Sequence, residues 1–208
     1  MRPLMRLSIR PSMRLLWCVL AVVILAATAL PVGAQTGQQL VISMTVAGTI
    51  QDRGGTYYIA ITVSDSLLQG PQPDSTNWTH YVAYRDGRFF FGVVPPTPVQ
   101  PFGFVAIRPP APFLFGLVLP DRKTLRVTVP VADLRLGPAL PTRVMVNFVT
   151  VDETNRAIDA LGPGAADRFG FITVDLRRDL FLTVRDPQGD AADPNFDIIG
   201  GEIQITTP

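Results

Sequence analysis

Chemistry-bearing residues are densest near the C-terminal end of this chain. Asp186, Asp190, Asp193, Asn195 and Asp197 fall within one twelve-residue stretch. Carboxylate and amide oxygens at that density are the hard ligands Ca²⁺ takes, so Asp186, Asp190, Asp193 and Asp197 are the expected ligands of a structural Ca²⁺. The spacing is not that of an EF-hand loop, since no glutamate closes it and Gly189 is misplaced. The other reading is a solvated turn whose Asp and Asn side chains accept backbone N–H bonds. Asp152-Glu153-Thr154-Asn155 is a smaller acidic turn that could contribute ligands from elsewhere in the chain.

A second concentration is aromatic: Trp78, Tyr81, Tyr84, Phe89, Phe90, Phe91, Phe102, Phe104, Phe113 and Phe115 crowd one region. In Phe89-Phe90-Phe91, strand alternation forces at least one ring onto the face opposite its neighbours. An exposed ring beside hydrogen-bonding groups is how a β surface holds a sugar or a protein partner. Trp78 is the ring expected at the surface, because it opens its strand after the polar loop 72–77. On this reading Trp78 with Tyr81 or Tyr84 stacks on the ligand, and Asp86 or Arg88 supplies hydrogen bonds. The other reading is a core packed with phenylalanine.

Catalytic constellations are sparse. His80 is the sole histidine, which excludes multi-histidine metal sites, and alternation from Trp78 places it on one face with Trp78, Val82 and Tyr84. A packed strand histidine is its ordinary role. No G-x-S-x-G elbow and no P-loop occur. Glu153 and Glu202 are the only glutamates, and neither has the context of a glycosidase acid or nucleophile. The chain is therefore expected not to be an enzyme and to require no cofactor.

The elements that must position these residues read as β almost throughout. Stretches 39–50 (QLVISMTVAGTI) and 56–64 (TYYIAITVS) are rich in Val, Ile, Thr and Tyr, and the Asp and paired glycines of 51–55 between them are hairpin punctuation. Asp86-Gly87 joins strands 78–85 and 88–94 and is the strongest hairpin signal in the chain. Stretches 102–107, 113–119, 124–129, 143–151, 169–174, 180–184 and 196–206 bring the total to about ten or eleven short strands. Helical periodicity is absent, with 131–136 and 155–161 each able to form one turn. The proline-rich stretches 94–101 and 108–112 are expected to be crossovers rather than ladder strands, since proline cannot donate to a ladder. The expected fold is all-β: a single antiparallel β-sandwich of about ten strands over residues 35–208, after a signal peptide at 1–34.

That leader has Arg2, Arg6, Arg10 and Arg14, then an uncharged run from Leu15 to Leu30, then Pro31-Val32-Gly33-Ala34. Val32 and Ala34 fit the small-residue rule for signal peptidase, so cleavage is expected after Ala34 and the product is extracytoplasmic. The alternative is an uncleaved anchor, yet the run would span only about 24 Å against a hydrocarbon core of roughly 30 Å. No transmembrane segment is expected after cleavage. Losing the leader's four arginines leaves 14 basic and 17 acidic side chains, a net charge of −3, which removes the electrostatic basis of nucleic-acid binding. The only cysteine, Cys18, lies inside the leader, so the exported product is disulfide-free and depends on burial and pairing alone.

Residues 124–136 (TLRVTVPVADLRL) with Gly137, then 143–152 (RVMVNFVTVD) and Ile158-Asp159-Ala160-Leu161-Gly162-Pro163, resemble the second half of DOMON-like and family 9 carbohydrate-binding-module-like sandwiches. Asp186-Pro187, Gly189-Asp190 and Asp197-Ile198-Ile199 resemble the "D-P-x-G-D…D-I" opening of the same kind of bacterial secreted sandwich. That opening usually stands at the N-terminal edge of a module and here lies near the C-terminus. The Met and His that hold haem in some members have no match. The resemblance implies a non-catalytic exported module with a glycan as ligand. The alternative is a protein–protein or envelope-assembly module, docking on an envelope protein through an edge strand or the Phe-rich region.

Overall fold

The computed structural model describes residues 37–64, 66, 69–94, 108–162 and 170–206. The leader, the expected strand 102–107 and Phe169 lie outside the described residues. Among those described are twelve strands: β1 (Gln39–Val46), β2 (Gly55–Thr62), β3 (His80–Arg85), β4 (Arg88–Val93), β5 (Arg108–Pro112), β6 (Gly116–Val118), β7 (Thr124–Pro130), β8 (Arg143–Asp152), β9 (Ala157–Ala160), β10 (Ile172–Asp175), β11 (Leu180–Arg185) and β12 (Ile198–Thr206). They form two antiparallel sheets packed face to face, an all-β sandwich. The first sheet runs β11-β12-β1-β7-β6, and the second runs β10-β8-β2-β3-β4-β5, with β9 sharing β8's outer edge with β10. No helix among the described residues is long and apolar enough to cross a membrane.

Period-2 alternation explains the first sheet. In β1 and β7, Leu40, Ile42, Met44, Leu125, Val127 and Val129 turn inward and are buried, while Ser43, Thr45, Thr124, Arg126 and Thr128 turn outward. Across the core they meet Ile59, Ile61, Val144, Val146 and Phe148 of the second sheet. β2 and β8 behave differently, because GTYYIAIT and RVMVNFVTVD are apolar on both faces. The second sheet accordingly carries a smaller cluster on its far side, built from Tyr58, Ala60, Trp78, Tyr81, Ala83, Val149 and Val151. Strands from before and after the proline-rich middle pair in both sheets, as β1 does with β7 and β2 with β8.

The Asp86-Gly87 hairpin is as expected: φ is 50° and 71° at the two positions, the left-handed pair that a type I′ turn requires. Three expectations are corrected. Residues 51–55 do not close a hairpin, because β7 and β12 occupy both edges of β1 and the chain crosses to the other sheet instead. Arg108–Pro112 is not a crossover but an edge strand on β4, the one sheet position where a strand can do without N–H donors on its open side. Ala157–Ala160 is a strand, since pairing with Val149–Val151 of β8 outweighs a weak local helical preference. The short 3₁₀ turn Val131–Leu134 falls where one helical turn was expected.

The crossing is fixed by tyrosine hydroxyls. Tyr57 accepts the Gln51 N–H at 2.9 Å and donates to the Asn195 carbonyl at 3.0 Å, while Tyr84 donates to the Asp52 carboxylate. Burial, then the facing Asp52 carboxylate, pushes the Tyr84 phenol up to about 12. Tyr84→Phe is expected to cost about 1 kcal/mol, read as a lower urea midpoint; an unchanged midpoint would show that the contact contributes nothing.

Candidate functional site

The expected stacking face is absent, and this is the main correction. Trp78 is 1 % exposed, and Tyr81 and Tyr84 are buried. Trp78 precedes β3 rather than opening it, so alternation does not set its direction. Its indole N–H donates to the Gln72 carbonyl at 2.7 Å, and its ring lies 5.2 Å from Tyr58 and 6.3 Å from Tyr81. Trp78 and Tyr81 thus belong to the outer cluster of the second sheet, opposite His80, Val82 and Tyr84, which face the other way. Tyr84 packs in the main core at 4.8 Å from Phe89. Asp86 and Arg88 are exposed at the hairpin tip; Asp86 lines a polar hollow of about 290 Å³ with Arg53, Arg85, Asp152 and Glu153. The five residues therefore form no common surface.

A surface the sequence reading missed lies on the solvent side of the first sheet. Leu117, Arg126, Ser43, Glu202 and Thr183 stand in register across all five strands. The next row is Thr124, Thr45, Gly200 and Arg185, and the row on the other side is Thr128, Val41, Gln204 and Phe181. Between the first two rows lies a hollow of about 400 Å³, lined among others by Ser43, Thr45, Arg126, Thr183 and Glu202. Its floor shows bare backbone at Gly200, where φ is 135° and an added Cβ would stand 2.2 Å from the Val184 carbonyl oxygen. Phe181, 59 % exposed, flanks this face and lines a neighbouring hollow of about 390 Å³ with Asp179 and Gln204. Arg126 and Glu202 take part in neither of the ion pairs found among the described residues, so both charges face solvent. The period-2 alternation of Ser43/Thr45, Thr124/Arg126/Thr128 and Glu202/Gln204 was the signal that could have found it.

The aspartate-rich loop is brought together in part. Asp190 and Asp197 converge with Asp159 of β9, one carboxylate oxygen from each lying within 4.8 Å of the others. Asp186 adjoins them closely enough that Asp190 and Asp197 both act on its charge. Asp193 is elsewhere, exposed and accepting the Asn195 N–H at 2.9 Å in its own turn. Asp159 took no part in the expected set because it is distant in sequence; it arrives through the pairing of β9 with β8.

The partners of this group are backbone amides. Asp159 Oδ2 accepts the Ile198 N–H at 2.6 Å, Asp186 Oδ1 the Gly162 N–H at 3.3 Å, and Asp197 Oδ2 the Gly189 N–H at 2.9 Å. Asp186 Oδ2 and Asp197 Oδ1 are buried without a hydrogen-bond partner. Burial, with the neighbouring carboxylates adding to it, pushes Asp159 up to about 7 and Asp186 up to about 6. The acidic turn Asp152–Asn155 closes on itself instead: Asp152 accepts N–H bonds from Thr154 and Arg156. Glu153 and Glu202 line separate hollows and do not form a facing pair.

No family model matches the chain, and comparison with curated proteins and with solved structures returns no significant match.

Proposed function

We propose that the protein is an exported, non-catalytic binding module that holds a glycan on the solvent face of its first sheet. The observation that carries this reading is the row Leu117, Arg126, Ser43, Glu202 and Thr183 beside the 400 Å³ hollow. Hydroxyls, a guanidinium and a carboxylate at strand spacing offer donors and acceptors to a ligand rich in hydroxyls. Phe181 supplies the exposed flat ring that the buried Trp78 cannot. The leader at 1–34 and the likeness of 124–163 to carbohydrate-binding sandwiches support the same reading.

The test is retention on insoluble polysaccharides and on peptidoglycan. One glycan is expected to retain the protein, and Arg126→Ala or Phe181→Ala should weaken retention about tenfold, equivalent to about 1.4 kcal/mol, with melting unchanged. Retention on none of the glycans, or equal retention by both variants, sinks the proposal.

A second reading has its own observation. Leu114, Phe115 and Leu117 are 87 %, 49 % and 49 % exposed along the turn into edge strand β6. An apolar edge of this kind suits an envelope protein that adds a strand. Leu114→Lys, outside the glycan row, would then abolish co-purification of that partner while leaving glycan retention as it was.

A further inference from the structure

We infer that Asp159, Asp186, Asp190 and Asp197 form a Ca²⁺ site that clamps the two sheets of the sandwich together. The inference is independent of where the ligand of the module binds.

Geometry comes first. Oxygens that each lie about 2.4 Å from one cation can be no more than about 4.8 Å apart. The carboxylate oxygens of Asp159, Asp190 and Asp197 meet that bound with all three within 4.8 Å of one another. Asp159 is satisfied, accepting the Ala160 and Ile198 N–H groups, but Asp186 and Asp197 are satisfied at one oxygen only. Asp197 is 2 % exposed with Oδ1 unpartnered, and Asp186 is 9 % exposed with Oδ2 unpartnered. A buried carboxylate oxygen with no partner carries the full cost of its desolvation. These two buried carboxylates stand beside the half-buried Asp159 and the exposed Asp190, and none of the four has an ion pair among the described residues. A divalent cation offsets their negative charge and gives the orphaned oxygens a partner.

The donor set selects the ion. It is all oxygen, with no histidine or cysteine at hand, which disfavours Zn²⁺. Asp190 is exposed and leaves room for water in the remaining positions. A variable shell of carboxylates and water suits Ca²⁺, whereas Mg²⁺ demands a near-ideal octahedron.

The consequence lies in which strands contribute. Asp159 stands in β9 of the second sheet, Asp186 follows β11, and Asp190 and Asp197 lie in the connection between β11 and β12 of the first. Three bonds already cross here: Ile198 N–H to Asp159, Gly162 N–H to Asp186, and Thr150 Oγ1 to the Phe196 carbonyl. A cation at their centre would tie the same two sheets in a chain whose single cysteine, Cys18, can form no intramolecular disulfide.

The experiment uses the protein as the cell delivers it, stripped with EDTA and titrated with CaCl₂ alone, by calorimetry and by melting. One equivalent of Ca²⁺ is expected to bind, and at a hundredfold excess over Kd the Tm should rise by about 5–10 °C. Asp190→Asn, an exposed substitution that leaves folding intact, should abolish both the heat and the shift. Asp197→Asn should abolish them as well, and because it could unfold the chain, Asp190→Asn decides. Asp193→Asn should keep the full response. No heat and no shift at millimolar Ca²⁺ overturns the site, a response retained in Asp190→Asn overturns the ligand set, and an equal shift with MgCl₂ overturns the assignment to Ca²⁺.

Discussion

Trp78→Ala is expected to destabilise the protein by about 4 kcal/mol, a large part of the roughly 5–15 kcal/mol that holds a domain of this size. The ring is 1 % exposed and packs against both Tyr58 and Tyr81, themselves edge to face at 5.7 Å, on the far side of the second sheet. Its removal leaves a cavity walled by these two rings, which cannot both collapse into it. Tyr81 also rests on Gly92, where even one added carbon would stand 2.3 Å from the ring. The Gln72 carbonyl loses its indole donor, and with it the anchor of the loop before β3. Phe181→Ala is the contrast. Its ring is 59 % exposed, so its loss should change stability by no more than about 0.5 kcal/mol while removing the ring proposed to meet the ligand. Urea denaturation of both variants separates packing from recognition. A Trp78→Ala midpoint equal to that of the parent would contradict the burial described here.

What the sequence disclosed about this fold depended on whether the deciding signal was local. The Asp86-Gly87 hairpin was readable because two-residue turn chemistry is a local property, and the period-2 faces of β1 and β7 are equally local although they were not assigned. The destination of residues 51–55 was not, since it depends on β7 and β12 already occupying the edges of β1, and those strands lie far along the chain. Trp78 was misplaced for a related reason. A polar loop before a strand suggests an exposed start, but this loop folds back so that Asn147 Nδ2 donates to the Pro71 carbonyl at 2.9 Å. The continuous apolar character of GTYYIAIT and RVMVNFVTVD carried the missing information, because strands apolar on both faces need a second covering layer. The acidic loop shows the same limit. Asp186, Asp190 and Asp197 announced themselves by density, whereas Asp159 reached them only through β9 pairing.

The second large effect is a loss of stability in mild acid that belongs to His80. The imidazole is fully buried in β3 and stacks at 5.9 Å on Phe91. Nδ1 lies 3.0 Å from Thr79 Oγ1, and that hydroxyl donates its single hydrogen to the Ile61 carbonyl at 3.1 Å. The proton between ring and hydroxyl must then sit on Nδ1, a tautomer assigned from the network, and Nε2 keeps a bare lone pair without a partner. Protonating Nε2 would bury a charge and a donor together, and burial accordingly pushes the group down from 6.5 to about 4. The unfolded chain takes up its proton near pH 6.5 and the native state only near pH 4, so stability is complete above the first value and falls through the interval. The loss approaches about 3 kcal/mol at pH 4. Asp159 and Asp186 act in the opposite sense over part of the same range in the metal-free protein, because their raised values favour the native state as acid is added. The contribution of His80 is therefore read as a difference. His80→Gln cannot titrate, and the gap between its unfolding free energy and that of the parent should shift by about 3 kcal/mol in favour of the variant between pH 7 and pH 4. Parallel profiles over that interval would mean that the histidine charges without cost, and that the pocket formed by Thr79 and Phe91 admits water.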